Sequence, residues 1–233
     1  MGIPKLAPDG VSDTGGTKGA LSPWDADPDW YRKARDAGAT PGELQEAHAN
    51  GIRLVYYANA RKAGATHDEI MAAHAEDIYL VDYAQARETE ATHAEVMEAR
   101  AKGIGVNDYA FARKAGATHD EIMAAHITGT YLVGYALARK AGATHDEVMA
   151  AHAKGIFPDD YAYARSVGAT HDEILEAAGT PGVLLDFYAE ARKAGATHEE
   201  VMAAHKAGFQ LSSYARTRSG GHTHDDALRM LSS

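Results

Sequence analysis

Ala60-Arg61-Lys62-Ala63-Gly64-Ala65-Thr66-His67-Asp68-Glu69-Ile70-Met71-Ala72-Ala73-His74 recurs without change at 112–126. It recurs again at 138–152 with a single exchange, Val148 standing where the first copy has Ile70. The Tyr that opens the motif Tyr-Ala-x-Ala-Arg falls at Tyr57, Tyr83, Tyr109, Tyr135, Tyr161, Tyr188 and Tyr214. The spacing is 26 residues throughout, except for 27 between Tyr161 and Tyr188, and Tyr31 opens a divergent first copy. A fixed period of this length is the mark of an array of stacked units.

Each unit reads as two short helices. Tyr57 to Ala63 is rich in helix formers and stops at Gly64, a residue that takes a left-handed turn cheaply. Thr66 and Glu69 then form a capping box, in which the hydroxyl caps the new helix and the carboxylate reaches back. The box recurs at Thr92, Thr118, Thr144, Thr170 and Thr197. The second helix runs through Ile70 to His74 and ends before turns such as Gly103-Ile104 and Gly155-Ile156. Helices this short are marginal alone, so each unit must bury its face on the next. The predicted fold is an all-α solenoid of about eight 26-residue helix-turn-helix units, a rod or superhelix on the order of 70 Å long. It resembles tetratricopeptide-type solenoids in organisation, with a shorter period and without their Trp/Leu/Gly/Pro signature.

The expected domain plan is a flexible tail over 1–21, a helical cap over 22–30 and the array over 31–233. Units start at 31, 57, 83, 109, 135, 161, 188 and 214. Pro23 and Pro28 suit first helical positions in the cap, and Asp225 to Leu231 forms the closing helix. Two units break the pattern. Glu90 replaces the turn glycine, at a cost of about 1 kcal/mol on a left-handed backbone, and Gly179-Thr180-Pro181-Gly182 adds a residue. A local bend or looser stacking is expected at both.

Among the 233 residues there are 23 Lys+Arg, 33 Asp+Glu, 13 His and no Cys, for a formal charge of −10. Cysteine-free sequence excludes disulfides, thiolate-held zinc, iron–sulfur clusters and thiol catalysis. No run approaches the ~18 apolar residues of a membrane span, and the expected location is the cytoplasm. The negative charge opposes generic nucleic-acid binding, which depends on cations neutralising phosphates. No nucleophile elbow, P-loop or dinucleotide motif occurs. The expectation is therefore a non-enzymatic protein with no catalytic residue, cofactor or metal.

Two recurring residue types invite a role. Histidines follow the cap Thr at His67, His93, His119, His145, His171, His198 and His224, and close the second helix at His48, His74, His126, His152 and His205. His67 and His74 share a stripe but are ~10.5 Å apart along the axis, too far for one zinc at ~2 Å bonds. A structural role, with His74 bonding helix-end carbonyls or a neighbouring unit, is the favoured reading. Protonation of all 13 His would take −10 to +3, so a pH-responsive role stands beside it. Arg61 and its equivalents need partners, and capping carboxylates or the helix-end carbonyls of an adjacent unit are the nearest, with an arginine–carboxylate ladder between units the favoured reading.

The x of Tyr-Ala-x-Ala-Arg varies: Lys33, Asn59, Gln85, Phe111, Leu137, Tyr163, Glu190 and Arg216. With Tyr57 at 0°, x lies at about 200°, away from the packing side. Asn59, Gln85, Phe111, Leu137, Tyr163 and Glu190 are accordingly the candidate partner-binding residues, with an apolar strip over the three central ones. The function expected is a scaffold that binds a protein or peptide through this face. A homo-oligomer, a nucleic-acid-reading array, an acidic nucleic-acid mimic and a histidine-based metal or pH device are the alternatives.

Overall fold

The computed structural model describes residues 28–232. The expected tail over 1–21, and residues 22–27 of the expected cap, lie outside the described residues. Pro28, Asp29 and Trp30 are the opening turn of the first helix and run straight on into Tyr31. Among the described residues there are sixteen α-helices and no strand. The first helices of the eight units are α1 Pro28–Asp36, α3 Leu54–Lys62, α5 Leu80–Glu88, α7 Val106–Lys114, α9 Leu132–Lys140, α11 Pro158–Ser166, α13 Leu185–Lys193 and α15 Leu211–Ser219. The second helices are α2 Pro41–Ala49, α4 His67–Ala75, α6 His93–Ala101, α8 His119–Ile127, α10 His145–Ala153, α12 His171–Gly179, α14 His198–Lys206 and α16 His224–Ser232. Each first helix begins three residues ahead of its Tyr.

Every helix is nine residues long, and the two kinds start differently. From α2 to α14, each second helix is capped by a Thr whose hydroxyl accepts from the amide three residues on, while the Glu at that position bonds back. The box extends to the first unit, with Thr40 and Glu43. From α3 to α15 the first helices have no side-chain cap: their N-cap residues are Arg53, Tyr79, Gly105, Tyr131, Phe157, Leu184 and Gln210.

Both kinds end alike. Gly64 N–H bonds Arg61 O at 3.0 Å and Ala65 N–H bonds Ala60 O at 3.0 Å; Gly103 and Ile104 repeat the pair on Arg100 and Ala99 at 2.9 and 3.0 Å. This is the double bond of a Schellman ending. The left-handed residue therefore recurs every 13 residues, from Gly38, Gly51 and Gly64 through Gly103 and Gly116. Two members are not glycine: Asp77 (φ 53°) and Glu90 (φ 64°). At Glu90 the loosening is confined to the turn. Its amide keeps the bond to Arg87, and the Thr89 hydroxyl donates to Ala86 O at 2.6 Å, the carbonyl that Ala91 would otherwise reach. In the sixth unit the extra residue is absorbed between an extended Thr180 and a left-handed Gly182 (φ 84°).

The first helices stack closely on one another, and each second helix packs on the first helices of its own and the following unit. Alanines make the close stack possible. Ala58 and Ala60, and their counterparts through Ala189 and Ala191, are buried against the neighbouring helix. Between α9 and α11 even a methyl is too much at one point: a Cβ on Gly134 would stand 2.9 Å from Asp159 N and 2.9 Å from Pro158 Cβ. The core is a row of fully buried tyrosines from Tyr57 to Tyr214, backed by Leu44, Ile70, Val96, Ile122, Val148, Ile174 and Val201 from the second helices. The buried arc of a first helix is wider than the wheel predicts, because Ala60 at about 300° joins Leu54, Tyr57 and Ala58 inside.

Candidate functional site

The invariant side chains tie unit to unit. Arg87 Nη1 donates to Glu69 Oε2 of the preceding unit at 2.9 Å, while Glu69 also accepts from its own cap amide, Thr66 N–H, at 2.9 Å. Arg139–Glu121 (2.9 Å), Arg192–Glu173 (3.1 Å) and Arg218–Glu200 (3.4 Å) repeat the pair. The second guanidinium nitrogen reaches the turn glycine one unit back: Arg61 to Gly38 O (2.9 Å), Arg139 to Gly116 O (3.1 Å), Arg218 to Gly195 O (3.0 Å). Burial works against the charge of Glu69, Glu121 and Glu173, but the cap amide and the arginine hold each carboxyl below its ordinary range. The arginine ladder is thus an inter-unit feature.

The helix-closing histidines serve the same end. Nε2–H of His74 donates to Asn50 O (3.0 Å), His126 to Lys102 O (3.0 Å), His152 to Thr128 O (3.3 Å) and His205 to Pro181 O (3.0 Å). Where Arg100 replaces this His, its guanidinium makes the bond to Glu76 O at 3.4 Å.

The cap-following histidines do something the sequence reading misses. Nδ1 of His67, His93, His119, His145, His171, His198 and His224 lies 2.8–3.1 Å from the hydroxyl of the Tyr ten residues earlier. Arg87, Arg139 and Arg192 also donate to that hydroxyl oxygen, at 3.1, 3.4 and 3.4 Å. In those three units the arginine occupies one lone pair of the phenol oxygen and leaves its proton free for Nδ1, an arrangement that goes with the imidazole hydrogen on Nε2. Nε2 of His67 lies 3.3 Å from Glu46, and that of His119 lies 3.4 Å from Glu98, both on the preceding second helix. Burial, with smaller contributions from neighbouring glutamates, pushes Tyr57, Tyr109 and Tyr161 up to about 12. These phenols have no surface open to solvent, so the pairs orient helices rather than face a ligand. Among the described residues no group of three or more His, Asp or Glu converges as a metal site would require.

The candidate binding residues line one row, one per first helix, and differ in exposure. Gln85, Leu137 and Glu190 are exposed; Asn59, Phe111 and Tyr163 are half-buried. Phe111 and Tyr163 lean onto the core edge, so only Leu137 (40 % exposed) stands free in the apolar strip.

A more exposed row lies one column away, at the uncapped N-termini of the first helices. Tyr79 is 81 % exposed, Tyr131 58 %, Phe157 73 % and Leu184 59 %. The last three occupy consecutive units, and Ile127 (79 %) stands just before Tyr131. Phe157 and Leu184 border a shallow groove of about 300 Å³ that also takes in Lys154, Asp160, Leu175 and Leu185. Tyr79, Tyr56, Arg53, Val81 and Asp82 border another of about 520 Å³. The signal was available in the sequence: Ile78-Tyr79-Leu80 and Ile156-Phe157-Pro158 place an aromatic between two buried residues, at a column that varies as freely as x. The acidic side chains beside this row crowd one another. Burial, then Asp108, raises the Asp82 carboxyl above its ordinary value, and burial, then Asp186 and Asp159, does the same to Asp160. No protein-family model and no curated protein sequence matches the chain.

Proposed function

We propose that the chain is a non-enzymatic repeat scaffold that binds a protein or peptide partner along the first-helix side of its array. The observation that carries this reading is the row Tyr131, Phe157 and Leu184, large apolar side chains 58–73 % exposed on three consecutive units. Contiguous exposed apolar surface is uncommon on proteins without a partner, and aromatic residues concentrate binding energy. Their position adds weight. An N-cap filled by Ser, Thr, Asp or Asn stabilises a helix by about 1 kcal/mol, and the second helices use Thr there without exception from α2 to α14. Tyr131, Phe157 and Leu184 forgo that gain in three adjoining units. Leu137 and the half-buried Phe111 and Tyr163 extend the apolar surface along the same helices.

No described helix is long and apolar enough to cross a membrane, and we place the protein in the cytoplasm. The test is selection of a displayed random-peptide library on the immobilised protein. Wild type should enrich a consensus rich in apolar residues, and the triple variant Tyr131→Ser/Phe157→Ser/Leu184→Ser should lose it with helicity unchanged. Equal enrichment on the variant, or none on either protein, would remove the reading. Self-association is checked on the same pair by sedimentation: a wild-type dimer that the triple variant abolishes would make a second copy the partner.

A further inference from the structure

The opposite ends of the first helices carry a different chemistry. One turn beyond the variable row stand Lys62, Lys114, Lys140 and Lys193, all exposed. Among the described residues no carboxylate comes within 4.0 Å of any of these ammonium groups. Lys33 and Arg216 add cations at the two ends of the variable row, while Asp36, Glu88 and Glu190 are the acids among them. The face is therefore net basic in a chain of formal charge −10. The acidic excess lies elsewhere: the second helices expose Asp68, Glu98, Asp120, Asp146, Asp172 and Glu199. Stacking brings Lys114 and Lys140, on neighbouring first helices, within about one Debye length of each other, ~8–10 Å. They repel, and among the described residues neither is paired with a carboxylate.

The cations also flank a shaped surface. Gln85, Glu88, Thr89, Phe111, Lys114 and Lys140 line a groove of about 480 Å³ across α5, α7 and α9. Of its lining residues Phe111 is half-buried and both lysines are exposed. The chemistry is that of a carboxylate-rich ligand with an apolar side chain to lay on the ring.

We propose that this groove docks an extended acidic peptide segment in which carboxylates alternate with aromatic or aliphatic residues. Spacing favours a peptide. An extended polyproline-II chain advances ~3.1 Å per residue with three residues per turn, so every third side chain returns to one face after ~9 Å, matching a stack spaced ~8–10 Å. One carboxylate each for Lys114 and Lys140 then follows without crowding. A nucleic acid presents phosphates far more densely than a lysine column interrupted by Glu88 and Ser166 can match. This inference stands on different residues from the exposed row Tyr131–Phe157–Leu184 and does not need it.

The experiment is fluorescence anisotropy with three labelled probes: a peptide repeating Glu-Phe-Ser, its counterpart repeating Lys-Phe-Ser, and an oligothymidine strand. The Glu peptide should bind, and more weakly as salt rises. Lys114→Glu/Lys140→Glu should weaken it by about tenfold, equivalent to 1.4 kcal/mol, and Lys114→Gln/Lys140→Gln by less. Lys102→Glu/Lys206→Glu, exposed at the ends of second helices, should leave it unchanged. Circular dichroism on each variant checks that the helices remain. The Tyr131/Phe157/Leu184 serine variant should still bind the Glu peptide, so the two surfaces fail or succeed separately. No binding of the Glu peptide, equal binding of the Lys peptide, or tighter binding of the oligothymidine would each overturn the proposal.

Discussion

At the scale of the residue, the unit is held by a phenol and an imidazole ten positions apart. On a helical wheel His67 shares a stripe with Ile70 and His74, which suggests a row of like groups on one face. The contact that matters crosses the turn instead, from His67 back to Tyr57 on the preceding helix. No single-helix projection contains it, which is why the sequence yields a structural histidine without its partner. The roles of His74 and the arginines were legible, because a repeated donor near helix ends has few acceptors other than the carbonyls and cap carboxylates of the next unit. The tyrosines have a consequence in base. Tyr57, Tyr109, Tyr135, Tyr161, Tyr188 and Tyr214 ionise at about 12 in the fold against 10.0 for the free side chain, because burial disfavours the phenolate. Their neutral form stabilises the fold fully below pH 10, and that stability is lost as pH rises from 10 towards 12. A base titration followed by phenolate absorbance and circular dichroism should show helix loss and ionisation of these phenols rising together above pH 10. Ionisation completed while the helices remain would contradict it.

At the scale of the element, helix starts and stops explain what could be read and what could not. The second helices are announced by a capping box and the first by a Tyr-Ala-x-Ala-Arg motif. The shared Schellman ending makes 13 residues the deeper period of the backbone. That period is masked in the sequence because the residues around the two turns differ, Ala-Gly-Ala-Thr after one helix and Gly-Ile after the other. The two exceptions rank themselves. Glu90 and Asp77 both hold positive φ, but Asp tolerates that region better than Glu, since its short side chain bonds locally. Glu90→Gly should raise the unfolding free energy by about 1 kcal/mol and Asp77→Gly by less, measured by urea denaturation at constant m. A neutral Glu90→Gly would mean the turn at 90 is not left-handed in solution. The inserted residue near Pro181 should cost little, because His205 still finds a carbonyl there, Pro181 O at 3.0 Å.

At the scale of the whole molecule, periodicity made the array plain and left its surface obscure. A wheel gives the direction of residue x but not how closely the next helix stands. The alanine-lined stack brings neighbouring first helices near enough to half-cover Phe111 and Tyr163, whereas Phe157 and Tyr131 lie beyond the helix end and escape. The same stack sorts charge, with lysines on the first-helix face and the acidic excess on the second helices. Every tie described lies within a unit or joins adjacent units, so length should scale with unit number and stability with the sum of neighbour terms. Deleting residues 112–137 joins Phe111 to Ala138 and removes one period without changing any motif. Small-angle scattering on this deletion and on the intact chain measures the claim that the units stack in a line. The radius of gyration should fall by roughly one-eighth with helicity per residue preserved. A compact bundle would shrink by only about 4 %, as the weak power law for globular chains requires, and that smaller change, or loss of folding, would contradict the stacked array.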